Sequence, residues 1–383
     1  VDPDDVGAVK LKRCSAHELR GQKLWHVTSV GSLRSGFRLM SDQATATESE
    51  PNTGSLCLPP RWQETNIDLL GLRGGALMSA AQDGLIANDE GEVVAYWASF
   101  LAHVVSGGRV QDGSYFAGIT GDTVDDMCTA VREGTVPVMY ALGAEMEKLS
   151  LSAVRGMLMD SAMTEEVEAR CVHWPPQVMT VRHRWAGTDA SEVLRDNDII
   201  LEVNGQHVER FRDLEVAVAS EPRAELLIVR GGKKFKVVMQ TTRLDDGITD
   251  RVVMWCGGVL QTTPLAVAQR GQARRGVYVA SRFHGSPASK YNLPPMSRII
   301  EIDGKEVSDL DGFLRTVVDK RDGENVRIKH LDLRNAASVT SLRVDKRYWP
   351  AVEVKRLPGP RCPGGVEPFH WRRSPVEPQD LLR

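Results

Sequence analysis

Apolar residues recur along this chain in short bursts more often than at helical spacing. Between residues 5 and 40 the bursts are Val6, Val9 and Leu11, then Leu24 and Val27, then Phe37 and Leu39, with Gly21 and Gly31 between them. Short runs broken by turn formers predict β-rich structure. Residues 41–54 carry almost no large apolar side chain and predict a mobile loop. Leu85-Ile86, a turn over 88–91, and Val93-Val94-Ala95-Tyr96-Trp97 predict a hairpin. Residues 101–125, with glycines at 107, 108, 113, 118 and 121, read as connecting material.

Beyond residue 126 the pattern becomes a repeat. A strand is predicted over 137–142 and helical spacing over 149–159 and 164–169. A strand over 178–181 leads to the turn Gly187-Thr188-Asp189-Ala190 and a short helix. The apolar run 199–203 closes on Asn204-Gly205, followed by a helix over 211–219 and two strands joined at Gly231-Gly232. The same order returns: strand 276–280, turn Gly285-Ser286-Pro287-Ala288, run 299–302, turn Asp303-Gly304, helix 310–318, and closing strands over 325–331 and 338–344. Gly205 and Gly304 lie 99 positions apart, a domain spacing and not a solenoid one. Residues 349–383 are rich in proline and arginine, and predict an edge strand at 349–354 and a disordered tail over 356–383.

Composition narrows the function classes. The 383 residues suffice for two to four domains, and 42% hydrophobic with 26% charged residues is a soluble globular composition. A net charge of -3 supplies no bulk attraction for nucleic acid. No apolar run is long enough to span a membrane, and the first residues form no secretion leader; they look like a cut piece of a longer chain. The six cysteines are scattered and never form CxxC, which reads as free thiols in a reduced compartment. Cys128 and Cys171-x-His173 build no closed zinc set, HExxH does not occur, and the glycines at 113, 118 and 121 form no phosphate loop. Neither a metal nor a cofactor is expected.

Gly285-Ser286-Pro287-Ala288 with Ile300-Glu301-Ile302-Asp303-Gly304, and more loosely 187–190 with 200–205, resemble the PDZ domains of HtrA/Deg serine proteases. The stretches 60–66, 91–97, 276–279 and 348–350 resemble the second half of the large double-HtrA proteases of fungal nuclei and plants. The resemblance implies a mainly β chain with short helices. Residues 1–120 would be the second barrel of a degenerate trypsin-like domain, 126–243 a PDZ-like domain and 247–355 a PDZ domain. It implies a soluble intracellular protein of the nucleus or chloroplast, a serine endopeptidase as the parent protein, and homo-oligomers of the full-length form.

Trypsin-like catalysis needs a serine activated by histidine and aspartate beside an oxyanion hole. The serine stands in GxSGG just before a hairpin such as 84–97. One register puts Arg73 at that position, within Gly71-Leu72-Arg73-Gly74-Gly75; the other, preferred because it needs no insertion, puts Gln82 there. Neither is a nucleophile, Ser79 lacks the glycine turn, and one barrel holds only half of the machinery. His103 with Ser106, and His183 with Asp189, read as structural neighbours. The chain is therefore expected to be inactive and to work through binding.

A PDZ domain takes an extended peptide as an added strand, with a pocket for its terminal apolar side chain. The resemblance assigns the receiving strand to Val277, Tyr278, Val279 and Ala280 and the carboxylate loop to 269–276, with Gly276 and with Arg270 or Arg274 near the charge. Leu314 and Val317 line the pocket or belong to the core. In the first repeat the receiving strand would be 179–182, behind a loop that Pro175-Pro176 makes unsuited to a carboxylate. Expected partners are peptides or protein C-termini and other domains of the same protease. The stretch 255–266 begins the last domain and shields its groove.

Overall fold

The computed structural model describes residues 9–32, 36–49, 60–74, 83–106, 109–134, 138–155, 159–219, 221–244, 249–271, 275–358 and 369–376. The chain is mainly β with short helices and divides into two compact units. The first contains most of residues 1–137 together with Val208–Val216, and the second the remainder.

Six strands close the first unit into a barrel: β1 (Lys23–Ser32), β2 (Gly36–Ser49), β3 (Leu69–Arg73), β4 (Gly84–Ala87), β5 (Val93–Ser106) and β6 (Arg109–Thr120). They run antiparallel in the order β1-β2-β3-β6-β5-β4, and β4 pairs back onto β1. Closure removes the edges that a free sheet would expose. Leu24, Ala46, Leu70, Ile86, Val94 and Trp97 fill the interior. Two expectations change here. Residues up to Ser49 form strand β2, not a loop, because the period-2 signal is carried by small residues: Ala44 and Ala46 point inward and are buried. Strands β5 and β6 pair along their whole length, from Ala95 opposite Thr120 to Ser106 opposite Arg109, and lead into α1 (Gly121–Arg132), where glycine-rich connecting material was expected. The predicted hairpin of β4 and β5 is present, with Leu85 opposite Tyr96.

The second unit holds both repeats. The first comprises β7 (Ala144–Ser150), α2 (Ser161–Arg170), β8 (Gln177–Arg184), α3 (Asp189–Val193), β9 (Ile199–Val203), α4 (Phe211–Val218), β10 (Arg223–Arg230) and β11 (Lys233–Gln240). Residues of α4 up to Val216 are counted with the barrel unit. The sheet runs β11-β10-β9-β8-β7, over a core that includes Val178, Ile199, Leu201 and Val229. The strand expected over 137–142 is present as a short one, Tyr140–Ala141, paired with Thr242–Arg243, and β7 follows as a strand not expected, disguised as polar by Glu145, Glu147 and Lys148.

The last repeat has β12 (Arg251–Trp255), β13 (Gly258–Thr262), β14 (Val277–Arg282), α5 (Pro287–Lys290), β15 (Arg298–Ile302), α6 (Leu310–Val317), β16 (Asn325–Leu331), β17 (Ala337–Arg343), β18 (Val352–Pro358) and β19 (Phe369–Pro375). Its sheet order is β17-β16-β15-β14-β13-β12-β18-β19. α6 starts on Asp309, whose carboxylate accepts from the Gly312 N–H at 2.7 Å and is held below its usual range by that bond. Its buried stripe, Leu310, Phe313, Leu314 and Val317, is the helical period made solid. Part of the expected disordered tail is ordered: β19 pairs along β18, from Val352 opposite Pro375 to Pro358 opposite Phe369. The Arg356 guanidinium lies 3.9 Å from the centre of the Phe369 ring.

Candidate peptide-binding site

Both repeats build the same turn. Thr188 Oγ donates to the Trp185 carbonyl at 2.7 Å, and Ser286 Oγ donates to the Phe283 carbonyl at 2.6 Å. These residues are the N-caps of α3 and α5. Against each lies a glycine of positive φ. A Cβ on Gly143 (φ +74°) would come within 2.8 Å of Thr188 Oγ, and one on Gly257 (φ +78°) within 2.0 Å of Ser286 Cβ. Only glycine fits both the backbone and the space. The pair equates Leu142-Gly143-Ala144 with Cys256-Gly257-Gly258, and so equates β7 with β13. Neither match was drawn from the sequence, although a glycine leading into each strand was its available signal.

The expected receiving strand is in the wrong place for strand addition. β14 is bonded on one side to β13, with Tyr278 opposite Gln261, and on the other to β15, with Val277 opposite Ile299. Val277, Tyr278 and Val279 are buried, Ala280 is half-buried, and burial pushes the Tyr278 hydroxyl up. A strand paired along both edges has no row of N–H and C=O groups to offer a peptide. In the first repeat, 179–182 lies in β8, between β7 and β9. Gly276 (φ +101°) is needed where it stands, since a Cβ there would meet the Ile299 carbonyl at 2.7 Å. Its N–H donates to the Ser308 carbonyl at 2.8 Å, so it is not presented to a carboxylate.

Residues 265–271, which lead into and begin the expected carboxylate loop, pack against the first repeat. Trp185 packs with Leu265 and Ala268, and the Ala186 N–H donates to the Ala268 carbonyl at 3.0 Å. Gln269 is buried, and Gly271 sits against the His183 ring. Arg274 lies outside the described residues, as do Gln82 and Ser79. Arg73 is exposed at the end of β3. His26 is inside the barrel, its ring 5.7 Å from that of Trp97, and burial lowers its pKa. Asp189 does not serve His183: its carboxylate accepts from the Gln240 N–H at 2.8 Å.

Leu314 and Val317 are fully buried in the core of the last repeat. They share that core with Val253 and Trp255 of β12 and with Leu260 of β13. Beside them a cavity of about 280 Å³ is lined by Arg251, Asp311, Leu314, Glu353 and Arg372. Its charged walls do not suit an apolar terminal side chain. Cys14, Cys128, Cys171 and Cys256 are free thiols, and burial pushes those of Cys14 and Cys256 up to about 11. No described helix is long and apolar enough to cross a membrane.

The chain is similar in sequence to proteins named as proteases. It is 28% identical over 342 residues to Protease Do-like 7 of Arabidopsis thaliana, a match covering 82% of this chain and 30% of that protein. It is 26% identical over 316 residues to the Pro-apoptotic serine protease NMA111 of Coccidioides immitis, again covering 82% of this chain and 30% of that protein. The chain thus spans 30% of the length of these curated relatives. Among solved structures it is similar to the HtrA-type protease AlgW with tripeptide, at a TM-score of 0.36 and 15% identity, covering 63% of this chain and 71% of that one. No family model matches.

Proposed function

We propose that this chain is a non-catalytic, regulatory and peptide-recognising region of an HtrA-type serine endopeptidase. The observation that carries the reading is the doubled PDZ-like unit, with its glycine set against a hydroxyl N-cap at Gly143/Thr188 and again at Gly257/Ser286. Such sheets work by taking an extended segment as a further strand, supplied either by a partner or by the protein itself. The barrel contributes a closed support, with Arg73 at one of the two positions where a nucleophilic serine would be sought. The relatives' names, which speak of proteases, are consistent with a catalytic parent.

The test has two arms on the full chain. A fluorophosphonate probe, which labels activated serines, should leave it unlabelled. Labelling that disappears on substitution of one serine would overturn the non-catalytic reading. In the other arm, an array of C-terminal and internal extended peptides is tested for capture by the chain, before and after loosening of its own edge strands. Failure of every variant to capture any peptide would remove the recognition half of the reading.

A further inference from the structure

We propose that the last repeat carries its own ligand. Strand β12, Arg251-Val252-Val253-Met254-Trp255, fills the lane between β13 and α6 that strand addition would give to a partner peptide. The inference rests on the peptide-recognition reading and narrows it for this repeat to a segment of the chain itself.

A peptide taken as a strand needs a sheet edge for its main chain and a helix-walled pocket for alternate side chains. β13 has two edges. One belongs to β14, and α6 packs over β13. The other edge holds β12, antiparallel, with Val252 opposite Gln261 and Trp255 opposite Gly258. Its alternate residues do what a ligand's would. Val253 and Trp255 are 0% and 2% exposed, in one core with Leu314 and Val317. The Trp255 ring stands edge-on to Phe313 at 5.5 Å. At the far end, the Arg251 guanidinium reaches Asp311 on α6 at 2.7 Å and Glu353 on β18 at 2.6 Å.

Two features make the seat hard to contest. A two-residue turn, Cys256-Gly257, both of positive φ, ties β12 to β13, so the tethered strand competes at the high effective concentration of a short linker. The outer edge of β12 is itself covered by β18, with Val252 opposite Val354. An incoming peptide must therefore displace a strand bonded on both sides.

The test uses the full chain and a fluorescein-labelled peptide of sequence Arg-Val-Val-Met-Trp, followed by anisotropy. The native chain should show no saturable capture. Val253→Thr, which places a hydroxyl in the core, should capture the peptide at least ~10-fold more tightly than the native chain, since its own strand is loosened. Arg251→Ala, which removes only the clamp to Asp311 and Glu353, is the milder variant and carries the test if Val253→Thr fails to fold. Adding Val252→Cys and Gln261→Cys to either, and oxidising the pair, should abolish the gain, and reduction should restore it. Equal capture by oxidised and reduced chains, or no gain in a loosened variant that keeps its near-ultraviolet dichroism, overturns the self-ligand. Capture of other array peptides by the locked chain would leave the broader recognition reading standing.

Discussion

Arg212 and Asp311 occupy matched positions, 99 residues apart, on the corresponding helices α4 and α6, and they give those helices opposite allegiances. Arg212 lies in the segment counted with the barrel unit. Its guanidinium pairs with Asp126 and with Glu215 at 2.7 Å, and its N–H donates to Asp68 at 2.9 Å. Asp311 instead receives Arg251 of its own repeat. The next matched pair follows the same division: Leu314 is buried in its own core, whereas Glu215 is half-exposed and charged. One helix frame thus serves two ends. A charged face on α4 bonds to Asp68 and Asp126, and an apolar face closes α6 over an internal strand. Shared topology does not fix shared function when two positions on a helix change sign and polarity.

The matched glycines offer the strongest way to sharpen this contrast. Gly257→Ala combines a strained φ with overlap of the Ser286 Cβ and should cost about 4 kcal/mol. Gly143→Ala has a similar φ strain but meets the Thr188 and Thr242 hydroxyl oxygens at 2.8 Å and the Thr188 Cβ at 3.0 Å, a milder overlap that should cost about 2 kcal/mol. Urea unfolding followed by tryptophan emission would rank them, and equal costs would deny that the hairpin of β12 and β13 is the tighter turn. Next come the helix charges. Arg212, 15% exposed with several carboxylate partners, should cost about 2 kcal/mol on truncation to Ala. Asp311, 55% exposed, should cost less than about 1 kcal/mol.

The smallest effect is in pH. Ile200 faces Ile228 in the first repeat, and at the matched place Ile299 faces His330. Burial lowers the His330 pKa, so the unfolded chain binds the proton more readily. Stability of the last repeat should then fall as pH drops through the unfolded value of about 6.5. His330→Ile should flatten that dependence, measured as melting temperature between pH 7.5 and pH 5.5. A residual slope of the same sign belongs to His26 in the barrel.

Much of this was legible in the residues. The repeat could be read from its turns, since Asn204-Gly205 and Asp303-Gly304 close apolar runs, and the β4–β5 hairpin from its alternation. Edge and centre could not be told apart by resemblance alone. Yet Val277-Tyr278-Val279 is apolar at three successive positions, which is the mark of a strand covered on both faces rather than an exposed receiver. Strand β7 was hidden by its charges, and β19 by the prolines around it, although Phe369 and Trp371 alternate with His370 and Arg372. The role of β12 was out of reach because pairing partners are set by tertiary structure. No strand was expected over 251–255, and its apolar run does not say which edge it covers.

β12 is bonded on both edges, as an integral strand of the last repeat and not a detachable leader. Native-state hydrogen exchange on the full chain tests it directly. The inward-bonded amides of Val252–Trp255 should exchange as slowly as those of Val277–Val279 in β14, because both strands are paired along both edges. Exchange of the β12 amides at rates near those of an unstructured segment, with β14 still protected, would contradict it.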